Sequence, residues 1–380
     1  MTATLVEDRS GRSPVRRRIN VPTYPLAESI AYGWWRLTSP SSTEHGGFRL
    51  ADAADGYPWP DLTLVTGRGY VLAQLRPVER AVESIRFLAG TELLLAPAPV
   101  ERELRLFVEN TIQQLEDAGV TGTPLQEEWA AIASADAEVE AFCRTASALG
   151  LDPYALDESE TSLVVSLGSA KADPDLIAEL AASTTLPEVE AAREWLQEAV
   201  ERTESVADPP ALTLPFEPLP VGRWERPWRV GYERARKVRE SLQLSPADRL
   251  PVEELVDIDS TKSPAPSGVA GLAQSRGNGI AVATPGRFLP QAQRFAGARA
   301  IGRRTFDDSR HGVILTARYD YAAKVERAFA AELLAPATGI DQFLGESTSD
   351  ESLFAAAKTF DVSIQVIQHQ LDNQLGRRGL

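Results

Sequence analysis

The chain has 380 residues, 43% hydrophobic and 24% charged, the balance of an ordinary globular protein. Its formal net charge of -15 argues against a surface built wholly to clamp nucleic acid, because phosphate contacts need positive potential. The single cysteine, Cys143, excludes an internal disulfide and any multi-cysteine zinc site, and no apolar run approaches the roughly 20 residues that span a bilayer.

Residues 1–21 are polar and arginine-rich. They read as a flexible basic tail without the apolar core of a secretory signal, so the chain is expected in the cytoplasm. Residues 22–97 read as a small mixed α/β domain. "AESIAYGWWRLT" suggests a short helix, and Trp34, Trp35, Tyr57 and Trp59 suggest a small core. "LTLVTGRGYVLAQLRP" gives two β-rich runs around a Gly-Arg-Gly turn. "SIRFLAGTELLLAP" is an apolar run that fits a strand or a short helix.

Residues 98–204 form a helical segment by periodicity, with Gly119 and Gly150 as helix-ending signals and Pro187 in a first turn. Cys143 lies on an apolar helix face and is expected in the core. "ASALGLDPYAL" resembles half of a helix-turn-helix, but a helix end at Gly150 followed by a proline turn accounts for it. Residues 205–227 hold six prolines and read as an extended linker anchored by Trp224 and Trp228.

Residues 228–380 change character. A helix over "WRVGYERARKVRESLQL" leads to a short helix or turn, "PVEELVDI", that runs towards a strand. A hairpin follows, "GVAGLAQSRGNGIAVATP". "PQAQRFAGARAIGRRTF" and "YDYAAKVERAFAAELLAP" are helices, the second stopped by Pro336. "DESLFAAAKTFDVSIQVIQHQLDNQLG" gives a helix, a turn and a last helix with Ser363 as N-cap.

Three of these phrases carry a resemblance. "RARKVRESLQL", "FAAELLAP" and "FDVSIQVIQHQL" are similar to stretches of the ImmA/IrrE-like metallopeptidase domain, over about residues 229–376. The fold class this implies is α-rich α+β. A mixed α/β domain and a helical segment would precede a zincin-like domain with a small β-sheet and a terminal helical unit.

That family uses an H-E-x-x-H helix. Histidines at i and i+4 share one helix face, and the glutamate between them reaches the metal-bound water. Here the resemblance puts Arg299, Ala300 and Arg303 at those three positions. The third ligand falls on Val325, with Glu326 one step, roughly 100°, further round the helix. Arginine stays protonated and cannot ligate a metal. The expectation is therefore a non-catalytic pseudo-peptidase with no cofactor.

Two readings of the arginines stay open. Arg299, Arg303 and Arg304, with Arg294 nearby, can make an anion- or partner-binding cleft with Glu326. Alternatively they form internal ion pairs with Asp307, Asp308, Glu326 or Glu332. A relocated zinc site on Asp307, Asp308 and His311 is the enzymatic alternative. A DNA-binding transcriptional regulator is the other alternative, with Gln365, Gln368, His369, Asn373 and Arg377 as candidate nucleic-acid contacts, since Gln and Asn can read adenine edges. The net charge disfavours that reading, and Val362, Ile364, Ile367 and Leu371 form a packing face on the same helix. The expected partner is a protein or peptide, with no membrane association; the resemblance points to a stress-response, toxin–antitoxin or phage-defence setting.

Overall fold

The computed structural model describes residues 6–8, 15–17, 19–40, 47–53, 57–77, 85–207, 209–215, 222–223, 225–304, 306, 312–318, 320–347 and 349–376. The fold is an α-rich α+β structure. It divides into two compact units, residues 1–164 with 220–224, and residues 165–219 with 225–380.

In the first unit, β1 (Val6–Asp8) lies between β2 (Val15–Arg16) and β6 (Ile85–Phe87) in a three-stranded antiparallel sheet. The segment expected as a flexible tail thus contributes strands, and Val6 is fully buried. A second sheet runs in the order β3 (Phe48–Arg49), β4 (Asp61–Gly67), β5 (Tyr70–Arg76), β7 (Thr91–Leu95), β8 (Gly222–Arg223). Gly69 takes φ +80° in the β4–β5 turn, as a tight hairpin requires. β8 comes from the proline-rich stretch expected as a linker, which here closes the sheet edge.

Helices α1 (Tyr24–Tyr32), α2 (Trp34–Thr38), α3 (Pro97–Asp117), α4 (Pro124–Ala133) and α5 (Ala137–Ala148) share a core with this sheet. Trp34 packs edge-on against Trp129 at 5.0 Å, and the Arg105 guanidinium lies 5.0 and 5.5 Å from their ring centroids. Trp35 and Trp59 are buried with them, but Tyr57 is exposed and does not join the core. Cys143 is buried, and burial pushes its thiol pKa up to about 11. The next helix, α6 (Glu158–Gly168), starts well after α5 ends, with Gly150 at φ +85° between them. The intervening nine residues, 149–157, are too long for a helix-turn-helix turn.

In the second unit, α7 (Pro174–Ala182) and α8 (Val189–Ser205) precede α9 (Pro227–Ser241). A four-stranded sheet follows, ordered β12 (Val313–Thr316), β10 (Val269–Arg276), β11 (Gly279–Pro285), β9 (Asp257–Thr261). β9 is parallel to β11 and the other pairs are antiparallel. Every residue of β11 is buried, because α8 covers one face and α10 (Pro290–Arg303) the other. α11 (Tyr321–Leu334) packs on α9 and α10, and α12 (Ala337–Leu344), α13 (Asp350–Phe360) and α14 (Ile364–Gln370) complete the unit.

Residues 209–215 of the proline-rich stretch lie on the β10–β11 turn, where the Leu212 amide donates to the Asn278 carbonyl at 3.0 Å. Trp228, expected as an anchor, is half exposed, and Trp224 lies outside the described residues.

Glu198 ties α8 to the sheet. Its carboxylate accepts from the Lys262 and Ser263 amides, both at 2.8 Å, and from Arg202 at 2.9 Å. Burial alone would raise its pKa, but these bonds outweigh burial and hold it at about 2, against an ordinary 4.5. A depressed carboxylate stabilises the fold above the unfolded pKa. That contribution is therefore lost as pH falls from about 4.5 towards 2. Glu198→Gln is expected to cost about 1–2 kcal/mol at pH 7 and to flatten this acid limb, read by urea denaturation across that pH range.

Candidate functional site: a buried guanidinium–carboxylate cluster

Arg299 and Arg303 stand at i and i+4, so α10 presents both from one face. α11 lies across that face and supplies Glu326. The Arg299 Nη2 donates to Glu326 Oε2 at 2.8 Å, and the Arg303 Nη1 donates to Glu326 Oε1 at 3.2 Å. A second carboxylate comes from α7, where Glu179 Oε1 accepts from Arg303 Nη2 at 3.3 Å. All four side chains are shut away from water, at 3% exposure for Arg299, 5% for Arg303, 1% for Glu326 and 9% for Glu179. Among the described residues these two guanidiniums pair with two carboxylates, so the four side chains balance in charge. A burial this deep requires that balance, because an unpaired ion there costs several kcal/mol.

The cluster also bonds to the edge of the sheet. β12 is an edge strand, and the Ile314 amide donates to Glu179 Oε2 at 2.9 Å. The Thr316 carbonyl accepts from Arg299 Nη2 at 2.7 Å and from Arg327 Nη2 at 3.2 Å. Charged side chains thus take the bonds that a further strand would otherwise make. The Arg303 guanidinium lies 5.7 Å from the Phe306 ring centroid, and Phe306 packs edge-on against Tyr321 at 6.0 Å. Burial pushes the Tyr321 hydroxyl pKa up to about 12, and that hydroxyl donates to the Glu225 carbonyl at 2.9 Å.

The other sequence candidates scatter. Glu332, expected as a partner of the α10 arginines, is buried elsewhere and accepts from Arg236 Nε at 2.8 Å, Gln370 Nε2 at 2.9 Å and Gln374 Nε2 at 2.6 Å. Arg294 sits one end of α10 away, paired with Glu253 at 3.1 Å and Asp361 at 3.3 Å. Arg304 is half-buried and donates to the Leu212 carbonyl at 3.5 Å. Asp307, Asp308, His311 and Arg377 lie outside the described residues.

On α14, Gln365 and His369 are exposed and Gln368 is half-buried, whereas Val362, Ile367 and Leu371 are buried. Asn373, three residues beyond the end of α14, is exposed.

Glu179 had no local signal in the sequence, since it pairs with Arg303 across 124 positions. Val325, the position the resemblance assigns to a third metal ligand, is wholly buried, while its neighbour Glu326 is the side chain that spans Arg299 and Arg303.

Zinc does not fit these residues. Neither guanidinium has a lone pair to give, Ala300 has no donor, and both Glu326 oxygens are taken by arginine. Among the described residues no group of three or more His, Cys, Asp or Glu side chains stands ready to hold a metal. No helix of the described residues is long and apolar enough to cross a membrane. No protein-family model matches the chain, and no curated protein sequence matches it.

Proposed function

We propose that residues 229–376 are an ImmA/IrrE-like metallopeptidase domain that has lost its metal chemistry, and that the chain is a non-catalytic, protein-binding regulatory component acting in the cytoplasm. One observation carries the reading. Where the resemblance sets two histidines, two arginines share a single glutamate, Glu326, the neighbour of the third-ligand position Val325, so an internal ion pair stands in the place of a metal centre. The element order supports it: opening helix α9, the small sheet, α10, α11, then a small terminal helical group. A stress-response, toxin–antitoxin or phage-defence module is the setting the resemblance suggests.

The test is zinc stoichiometry after chelation and reconstitution. The native chain is expected to hold well under one zinc. In R299H/A300E/R303H the histidines replace the guanidiniums on the face that Glu326 already spans. That variant is expected to gain about one zinc per chain and a zinc-dependent rise in melting temperature. A folded triple variant that takes up no zinc would remove the ground for the resemblance. One zinc in the native chain, lost on His311→Ala, would overturn the non-catalytic reading in favour of a hydrolase with a relocated site.

A further inference from the structure

α12 and α13 are consecutive helices in contact, a helical hairpin joined by a short connection. Its buried side is ordinary: Ile340, Leu344, Leu353, Ala356 and Phe360 enter the domain core. Its outer side is not. Phe343, at the end of α12, is 45% exposed, and Phe354, in the second turn of α13, is 62% exposed. At 1.5 Å per residue both lie within about one to two helical turns of the connection, so they flank the same end of the hairpin. A single exposed phenylalanine needs no explanation, but two at one hairpin tip are the kind of apolar feature that marks a contact surface.

The charge around them is mostly negative, with one exposed cation, Lys358, a turn beyond Phe354 on α13. Residues 337–357 contain four carboxylates, Asp341, Glu346, Asp350 and Glu351, and no lysine or arginine. Glu346, Asp350 and Glu351 are exposed. The tip is also held in shape. Gly345 takes φ +56° to leave α12, Ser349 caps α13 by accepting from the Ser352 amide at 3.3 Å, and the Ser347 and Ser352 hydroxyls are 2.8 Å apart.

We infer that this hairpin tip docks a basic amphipathic helix of a partner protein, with Phe343 and Phe354 meeting its apolar stripe and the carboxylates meeting its lysines or arginines. A second copy of the chain is the wrong occupant, since it would bring the same carboxylates and a net charge of -15 against them. An anionic membrane is repelled for the same reason. The inference names a surface for the partner in the proposed function and so rests on its protein-binding half; it is independent of the metal cleft.

The probe is a fluorescein-labelled 14-residue helix of leucine and lysine in amphipathic order, titrated with the full chain. Saturable binding is expected, weakening with salt. F343S/F354S, which removes exposed rings and no charge, is expected to weaken it at least 10-fold. E346K/D350K/E351K is expected to do the same, and a probe with glutamate in place of lysine is expected not to bind. Unchanged binding in F343S/F354S would overturn the site, because only diffuse attraction to an acidic chain would then be at work. A concentration-dependent dimer of the native chain, abolished by F343S/F354S, would overturn the choice of occupant. Zinc uptake by R299H/A300E/R303H is read separately, so failure here and failure of the metal-cleft reading are distinguishable.

Discussion

Replacing Glu326 by alanine is expected to cost about 3–5 kcal/mol, among the largest single-residue effects in the chain. The carboxylate is 1% exposed and is the shared partner of Arg299 and Arg303, themselves 3% and 5% exposed. Its removal leaves, among the described residues, two guanidiniums facing one carboxylate, Glu179, in a water-excluded place. Water can reach the excess charge only if α10 and α11 part. Glu326→Gln keeps the shape and one acceptor but not the charge, and should fall between the native chain and Glu326→Ala. The instructive comparison is R299M/R303M/E326L with Glu179→Gln, which removes all four charges together. Replacing a whole buried ion network by apolar side chains is often neutral or stabilising, so this variant should recover most of the loss. Urea denaturation measures all three. Because the pairs are buried, added salt should change the Glu326→Ala result little. A loss under about 1 kcal/mol for Glu326→Ala would mean that the arginines do not depend on it for charge balance.

The elements with local signals were legible in the sequence. The β4–β5 and β10–β11 hairpins follow from glycine turns between β-rich runs, and α10 and α11 begin and end close to Pro290 and Pro336, where the backbone chemistry demands it. β12 was not foreseen. Its four residues, "VILT", are too short to alternate, and every one is buried, so periodicity has nothing to register. The site was half legible. Two arginines at i, i+4 announce a shared helix face, but nothing near them in the chain names Glu179, which arrives on α7. The choice between Val325 and Glu326 was likewise beyond local reading. A helix has no intrinsic orientation about its axis, and the roll of α11 is decided by what it packs against.

That packing is the basis for the second large effect, at Gly231. α9 crosses α11 so closely that a Cβ on Gly231 would lie 2.5 Å from the Val325 carbonyl oxygen, 2.7 Å from the Phe329 amide nitrogen and 2.8 Å from the Ala328 Cβ. Two of these three neighbours are backbone atoms, and backbone cannot swing aside as a side chain can. Helix propensity alone predicts that Gly231→Ala stabilises α9 by about 1 kcal/mol. The contact predicts the opposite sign, with overpacking costing about 3 kcal/mol or more because the helices must separate along their length. The contact should win, and Gly231→Val should be worse than Gly231→Ala. Gly168→Ala is the matching control, since Gly168 closes α6 with nothing within 4 Å of a new Cβ; that change should be neutral or slightly stabilising. The consequence reaches the buried cluster. Val325 and Glu326 are consecutive, so a shift that frees the Val325 carbonyl from α9 also turns Glu326 relative to Arg299 and Arg303. Gly231→Ala and Glu326→Ala should therefore be non-additive, with the double variant losing less than the sum of the two single losses. Simple additivity in urea denaturation would show that the close helix contact and the orientation of Glu326 are independent.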